Sequence, residues 1–197
     1  MFSYRCAGCG QLVRKACENC GSKIAVLPSP YCKDAIVAHT YVGLVRDLML
    51  SFKYQNHRAL ATLFASHLVT TLKMSTEIEC IDVVTWVPTT HERRMTRGHD
   101  QAETLARIVG RTLGVPARKL LVRETVGHQT GQSRENRLVG VSFRARSVNT
   151  QSTVLVVDDV VTTGATMQIA QRALYQAGAT RVICAAVAFT PAPAWRR

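Results

Sequence analysis

The sequence predicts an α/β fold, a parallel sheet flanked by helices, with a small zinc-binding module at its N-terminus. Two observations carry the sheet and one carries the module. The run Val154-Leu155-Val156-Val157 is continuously apolar and leads into Asp158-Asp159 and a Thr/Gly/Ala/Thr turn. Unbroken apolar runs of this kind mark strands buried on both faces, as parallel sheets require. After the turn, Met167, Ala170, Leu174 and Ala177 recur at a helical period. Four of the seven cysteines form two C-x-x-C pairs near the N-terminus, separated by seven residues.

The 197-residue length suits one α/β domain with an appendage, divided as 1–32 for the cysteine module, 33–190 for the main domain and 191–197 for a tail. An apolar fraction of 47% permits a sizeable core. No apolar run approaches the ~20 residues of a membrane-spanning helix. The first residues, Met1-Phe2-Ser3-Tyr4-Arg5-Cys6, lack the apolar centre of a signal peptide, so a cytoplasmic protein is expected. Against 13 acidic residues stand 25 Lys and Arg, a net charge of +12. Between His91 and Arg146 there are 12 basic and five acidic residues, so +7 of that excess falls in this stretch. Such a bias fits a polyanionic partner, either nucleic acid or a phosphorylated small molecule; a solvated basic surface is the plainer alternative.

Cys6, Cys9, Cys17 and Cys20 have the spacing of a closed tetrahedral zinc site. Such a site is structural, because four thiolates leave no position for water. Disulfides are the competing reading, disfavoured in a reducing compartment. Cys32 either replaces one ligand or stands apart, whereas Cys80 and Cys184 fall in or beside apolar strands and read as core. Leu27-Pro28-Ser29-Pro30 is an extended linker. Ala38 to Tyr41 then leads into an amphipathic helix ending near Lys53-Tyr54, and a second helix runs from about Arg58 to Lys73. Lys53 is ambiguous, a helix-terminal lysine or one aimed at a phosphate. His67 reads as a core-edge histidine.

Ile81 to Val87 is a strand ended by Pro88. The basic stretch from Thr89 to Gly98 reads as a loop before a helix from Asp100 to about Leu113. Parallel α/β sheets bind ligands beyond the C-terminal ends of their strands. On that edge, Arg94 and Arg97 would meet a pyrophosphate through bidentate contacts, unless the loop is merely solvated. After a short strand, Lys119 to Val122, the segment Arg123 to Arg146 is too long for an ordinary connection and reads as a cationic lid, with Phe143 docking its end. His128 within it has no partner in sequence and reads as exposed. The last strand runs from Arg181 to Ala188.

The stretch from Val160 to Thr166 places Thr162, Thr163, Gly164, Ala165 and Thr166 at a helix N-terminus, which favours a phosphate. Asp158 and Asp159 repel phosphate and suit sugar hydroxyls or hydrated magnesium instead. This Asp158–Thr166 segment resembles the motif by which type I phosphoribosyltransferases bind 5-phosphoribosyl-1-pyrophosphate (PRPP). The whole chain resembles the ComF/ComFC family, linked to competence and DNA uptake. The resemblance rests on the C-x-x-C pairs, Ser51-Phe52-Lys53-Tyr54, Val87-Pro88, Arg97-Gly98-His99-Asp100-Gln101-Ala102-Glu103, and a lid with Gln129 and Arg137. One departure is Asp100, where the family often has asparagine; it puts a negative charge near the expected pyrophosphate.

The resemblance implies a type I phosphoribosyltransferase-like fold that binds PRPP with Mg2+. Val160 to Thr166 and Arg94 would hold the ligand, and Asp158, Asp159 and Arg97 would act at the reacting centre. It implies single-stranded DNA and DNA-uptake proteins as partners. A nucleotide-salvage phosphoribosyltransferase is one alternative. A non-catalytic nucleic-acid-binding module that keeps the phosphate cradle is the other.

Overall fold

A computed structural model describes residues 3–27, 31–32, 34–55, 57–75, 81–124 and 141–191. Cys80, all but Leu27 of the Leu27–Pro30 linker, His128, Gln129 and Arg137 of the expected lid, and residues 192–197 of the tail lie outside the described residues. The cysteine module comes first, as strands β1 (Tyr4–Arg5) and β2 (Leu12–Val13) and the short helix α1 (Glu18–Gly21). The main domain follows as β3 (Tyr31–Cys32), β4 (Ala35–Thr40), α2 (Gly43–Tyr54), α3 (Ala59–Met74), β5 (Val83–Trp86), α4 (His91–Arg97) and α5 (Gln101–Leu113). It ends with β6 (Leu121–Glu124), β7 (Ser142–Ala145), β8 (Thr153–Val161), α6 (Ala165–Gln176) and β9 (Arg181–Phe189).

The central sheet has the order β3-β4-β9-β8-β5. β4, β9, β8 and β5 are mutually parallel, and β3 folds back antiparallel on β4. Both faces are covered, which explains the unbroken apolar run in β8. Leu155 and Val157 pack with α2, α3 and α5 on one face; Val154 and Val156 pack with α6, β6 and β7 on the other. Side chains alternate across a strand, so a strand covered on both sides has no polar position to spare.

Two features differ from the sequence-based expectation. The segment Ala35 to Thr40, of which the sequence suggests only Ala38 onward, as a lead into α2, is an interior strand pairing with β9 through Ile36, Val37, His39 and Thr40. The basic stretch after Pro88 is not a loop but helix α4. Thr90 caps it, its Oγ1 accepting from Arg93 N at 3.3 Å, and Gly98 closes it in the left-handed conformation at φ 71°. The long segment after Arg123 begins and ends as an antiparallel pair, β6 with β7, and Phe143 is buried against the second face of the sheet.

The cysteine module is not held apart from the main domain. Cys6, Cys17, Cys20 and Ile24 share one core with Val45, Leu48 and Phe64. A Cβ at Gly8 would lie 2.3 Å from Leu44 Cδ1 and 2.8 Å from Cys20 Sγ, so any larger residue there would displace one of them where the first knuckle seats on α2. Tyr31 and Cys32 pair with Ile36 and Ala35 in the main sheet. Among the described residues, no helix is long and apolar enough to cross a membrane.

Candidate functional site

β8 and β9 run in register from Thr153↔Arg181 to Val161↔Phe189, and β5 stops at Trp86 opposite Val157. β8 therefore carries Asp158 and Asp159 past the end of its neighbour β5. A cavity of about 430 Å³ opens there, at the C-terminal edge of the sheet. Its walls bring together Asp158, Asp159, Val160, Thr162 and Thr166 with Lys53, Arg93, Arg97 and Arg123.

A smaller recess of about 40 Å³ adjoins it, lined by Val160, Val161, Thr162, Thr163, Gly164 and Thr166 with Asp158 and Met167. Gly164 has φ 83°, a left-handed conformation that turns the chain directly into α6. The first turn of α6 holds no acidic side chain, and its N-cap residue, Gly164, has no side chain to cap it. Thr163 Oγ1 accepts from Ala165 N at 3.4 Å. The partial positive charge of the helix N-terminus still favours an anion. Ala165 itself lines neither space.

Asp158 lies deep in the wall, and that position with Asp159 beside it pushes its carboxyl well above the usual carboxylate range. Asp159 N donates to Asp158 Oδ1 at 2.7 Å. Lys53 Nζ reaches Asp159 Oδ2 at 2.9 Å. Asp100 is not a loose negative charge in front of a pyrophosphate. Its carboxylate caps α5 by accepting from Ala102 N at 3.1 Å and Glu103 N at 3.3 Å, and also accepts from Thr89 N at 3.1 Å. Burial raises its carboxyl above the ordinary value.

Arg97 is fixed from two sides. It donates to Gln101 Oε1 at 3.3 Å and to Tyr54 OH at 3.0 Å, with its guanidinium carbon 4.9 Å from the Tyr54 ring centroid. Arg94 is exposed on α4 and does not line the cavity; Arg93, one position earlier, does. Arg123, the first residue of the expected lid, lies on β6. It donates to Pro88 O at 3.4 Å and lies 5.7 Å over Phe143. Nothing local in the chain distinguishes Arg93 from Arg94, because that choice depends on the helical phase of α4. The sequence did single out Lys53, but not the carboxylate that Lys53 meets.

In the cysteine module, the sulfurs of Cys6, Cys9, Cys17 and Cys20 all lie within 4.8 Å of one another. Cys9 Sγ and Cys17 Sγ are 3.6 Å apart, and Gly8 N donates to Cys6 Sγ at 3.4 Å. Four sulfurs at ~2.3 Å from a tetrahedral centre are about 3.8 Å apart, so this cluster fits a single zinc ion. Cys32 does not belong to it. Cys184 is core, as expected, and burial pushes its thiol up to about 12. His67 is also a core-edge residue, its Nδ1 3.0 Å from Nε2 of the buried His39.

The family model for the phosphoribosyl transferase domain matches residues 99–195. Competence protein F of Haemophilus influenzae is 30% identical over 193 residues, spanning 92% of this chain and 82% of that protein. Competence protein ComFC of Bacillus subtilis is 25% identical over 178 residues, 88% of this chain and 72% of that one. Among solved structures, a purine phosphoribosyltransferase from Pyrococcus horikoshii aligns with a TM-score of 0.42 at 16% identity, covering 66% of this chain and 73% of that chain.

Proposed function

The chain belongs to the family of competence protein F and ComFC, and from that premise we propose that its cavity binds PRPP and transfers the phosphoribosyl group during the handling of incoming single-stranded DNA. One observation supports this most: β8, α4, β6 and the N-terminus of α6 converge on one cavity with two unlike halves. The threonine-rich turn and the N-terminus of α6 suit the 5-phosphate. Asp158 and Asp159 suit the ribose 2- and 3-hydroxyls. Arg93, Arg97 and Arg123 suit the pyrophosphate, which takes paired contacts from guanidinium groups.

In the transfer step, the bond from C1 to pyrophosphate oxygen breaks and its electron pair leaves with pyrophosphate. An acceptor nucleophile then forms the new bond at C1. Positive charge grows on the ribose while negative charge grows on the departing oxygen. Carboxylates beside the sugar favour the first, and preorganised cations favour the second, typically worth ~3 kcal/mol per donor. The oxygen donors Asp158 and Asp159 fit a hard cation, and magnesium bound with PRPP would offset pyrophosphate charge.

Calorimetry with PRPP and magnesium is the direct test. Wild-type protein should bind, and the combined Asp158→Asn and Asp159→Asn variant should show no measurable binding. A silent wild-type titration of metal-loaded protein would overturn the reading. A second reading, a non-catalytic nucleic-acid-binding module, is favoured by α4. That helix buries none of its residues and leaves Arg94 exposed outside the cavity.

A further inference from the structure

Lys53 lies in the last turn of α2, far in sequence from β8, yet its ammonium meets Asp159 Oδ2 at 2.9 Å with only 13% and 15% of the two side chains exposed. An ion pair this enclosed is a poor way to add stability, because desolvation of both charges offsets their attraction. Its position is nonetheless strongly determined. Lys53 O accepts from Gln101 Nε2 at 3.3 Å, the adjacent Tyr54 OH accepts from Arg97, and the ammonium lies 5.9 Å over the Tyr41 ring.

Three carboxylates line the cavity, and each has a different partner. Asp100 is occupied by backbone N–H groups, Asp158 accepts from Asp159 N, and Asp159 takes Lys53. Without that ammonium, Asp159 would present an uncompensated charge to the same space that must admit phosphates. At a separation of about 6 Å, repulsion of a unit charge in such surroundings weakens binding by roughly tenfold to a hundredfold.

We propose that Lys53 is a positioning residue of this cavity: it cancels the charge of Asp159 and orients that carboxylate, so that a group suited to sugar hydroxyls coexists with an anionic ligand. This rests on the PRPP reading. The test titrates wild type, Lys53→Met, Lys53→Arg and the double variant Lys53→Met/Asp159→Asn with magnesium pyrophosphate and with PRPP, after thermal melts confirm folding. Lys53→Met should weaken pyrophosphate binding at least about tenfold, while Lys53→Arg stays within a few-fold of wild type. Adding Asp159→Asn should recover most of the pyrophosphate affinity but not that for PRPP, which needs the carboxylate. A lysine that only held the fold would show no recovery when a second charge is removed. Equal or tighter pyrophosphate binding by Lys53→Met, or a double variant no better than the single one, would overturn the inference. Wild-type protein that binds neither ligand would overturn the PRPP reading and this inference together.

Discussion

His39 shows how one residue can tie the molecule's stability to pH. It is almost wholly buried on β4, with Nδ1 2.9 Å from Ala25 O and Nε2 3.0 Å from His67 Nδ1. Nδ1 donates to the carbonyl, so Nε2 is the bare acceptor and the ring is neutral. Burial is the main reason its pKa falls to about 4 from the ordinary 6.5. With a folded value below the unfolded one, its contribution is complete above pH 6.5 and is lost as pH falls towards 4. The difference corresponds to about 3 kcal/mol. Urea unfolding at pH 7, 5.5 and 4.5 should therefore show a steeper loss of stability in wild type than in His39→Gln. Parallel pH profiles for the two proteins would rule this role out.

Among the elements, the cysteine module has the least structure of its own. Two strands of two residues and a four-residue helix cannot bury enough apolar surface to stand alone, and Cys17 begins α1 without a side-chain cap. Bound zinc would supply the missing stability, as in other small metal-dependent modules. The module's buried cysteines also pack on α2 and α3, so its loosening should be felt in the main domain. Elemental analysis is expected to find one zinc per chain. Stripping it with a chelator should lower the thermal midpoint by about 5–10 °C, at roughly 2–4 °C per kcal/mol for a chain of this size. An unchanged midpoint after verified removal of the metal would show that the cluster does not hold the fold.

Over the whole molecule, the +12 charge and the exposed arginines of α4 favour attraction to a nucleic-acid backbone. The 12 aromatic residues are few, and Phe52, Phe64 and Trp86 are buried, which leaves less scope for base stacking. Single-stranded DNA affinity should thus fall steeply with salt, the logarithmic slope being about −0.7 per phosphate contacted. Reversing Arg93 and Arg94 together to Glu should flatten that slope by about 1.4 if both arginines meet phosphates. A filter-binding slope near zero would exclude backbone recognition of this kind.

The strand-turn-helix from Val154 to Leu174, the helices α2, α3 and α5, and the spacing of the four cysteines were legible because each is a local pattern. Apolar run length, helical period and ligand spacing are all written within a few turns of chain. Interior strand β4 was not legible, since Ala35-Ile36-Val37-Ala38-His39-Thr40 is short and its burial depends on β9, nearly 150 residues away. The helical state of His91–Arg97 was equally hidden. Thr90 and Gly98 mark its ends, but the helix buries no residue and so has no apolar stripe to reveal it. Sequence alone also placed two adjacent carboxylates and a threonine-rich turn together at the end of β8. Only tertiary structure decided which cations face that site. Arg93 rather than Arg94, Lys53 against Asp159, and Asp100 spent as a helix cap all follow from how distant elements pack, and charge at a distance is set by space, not by chain order.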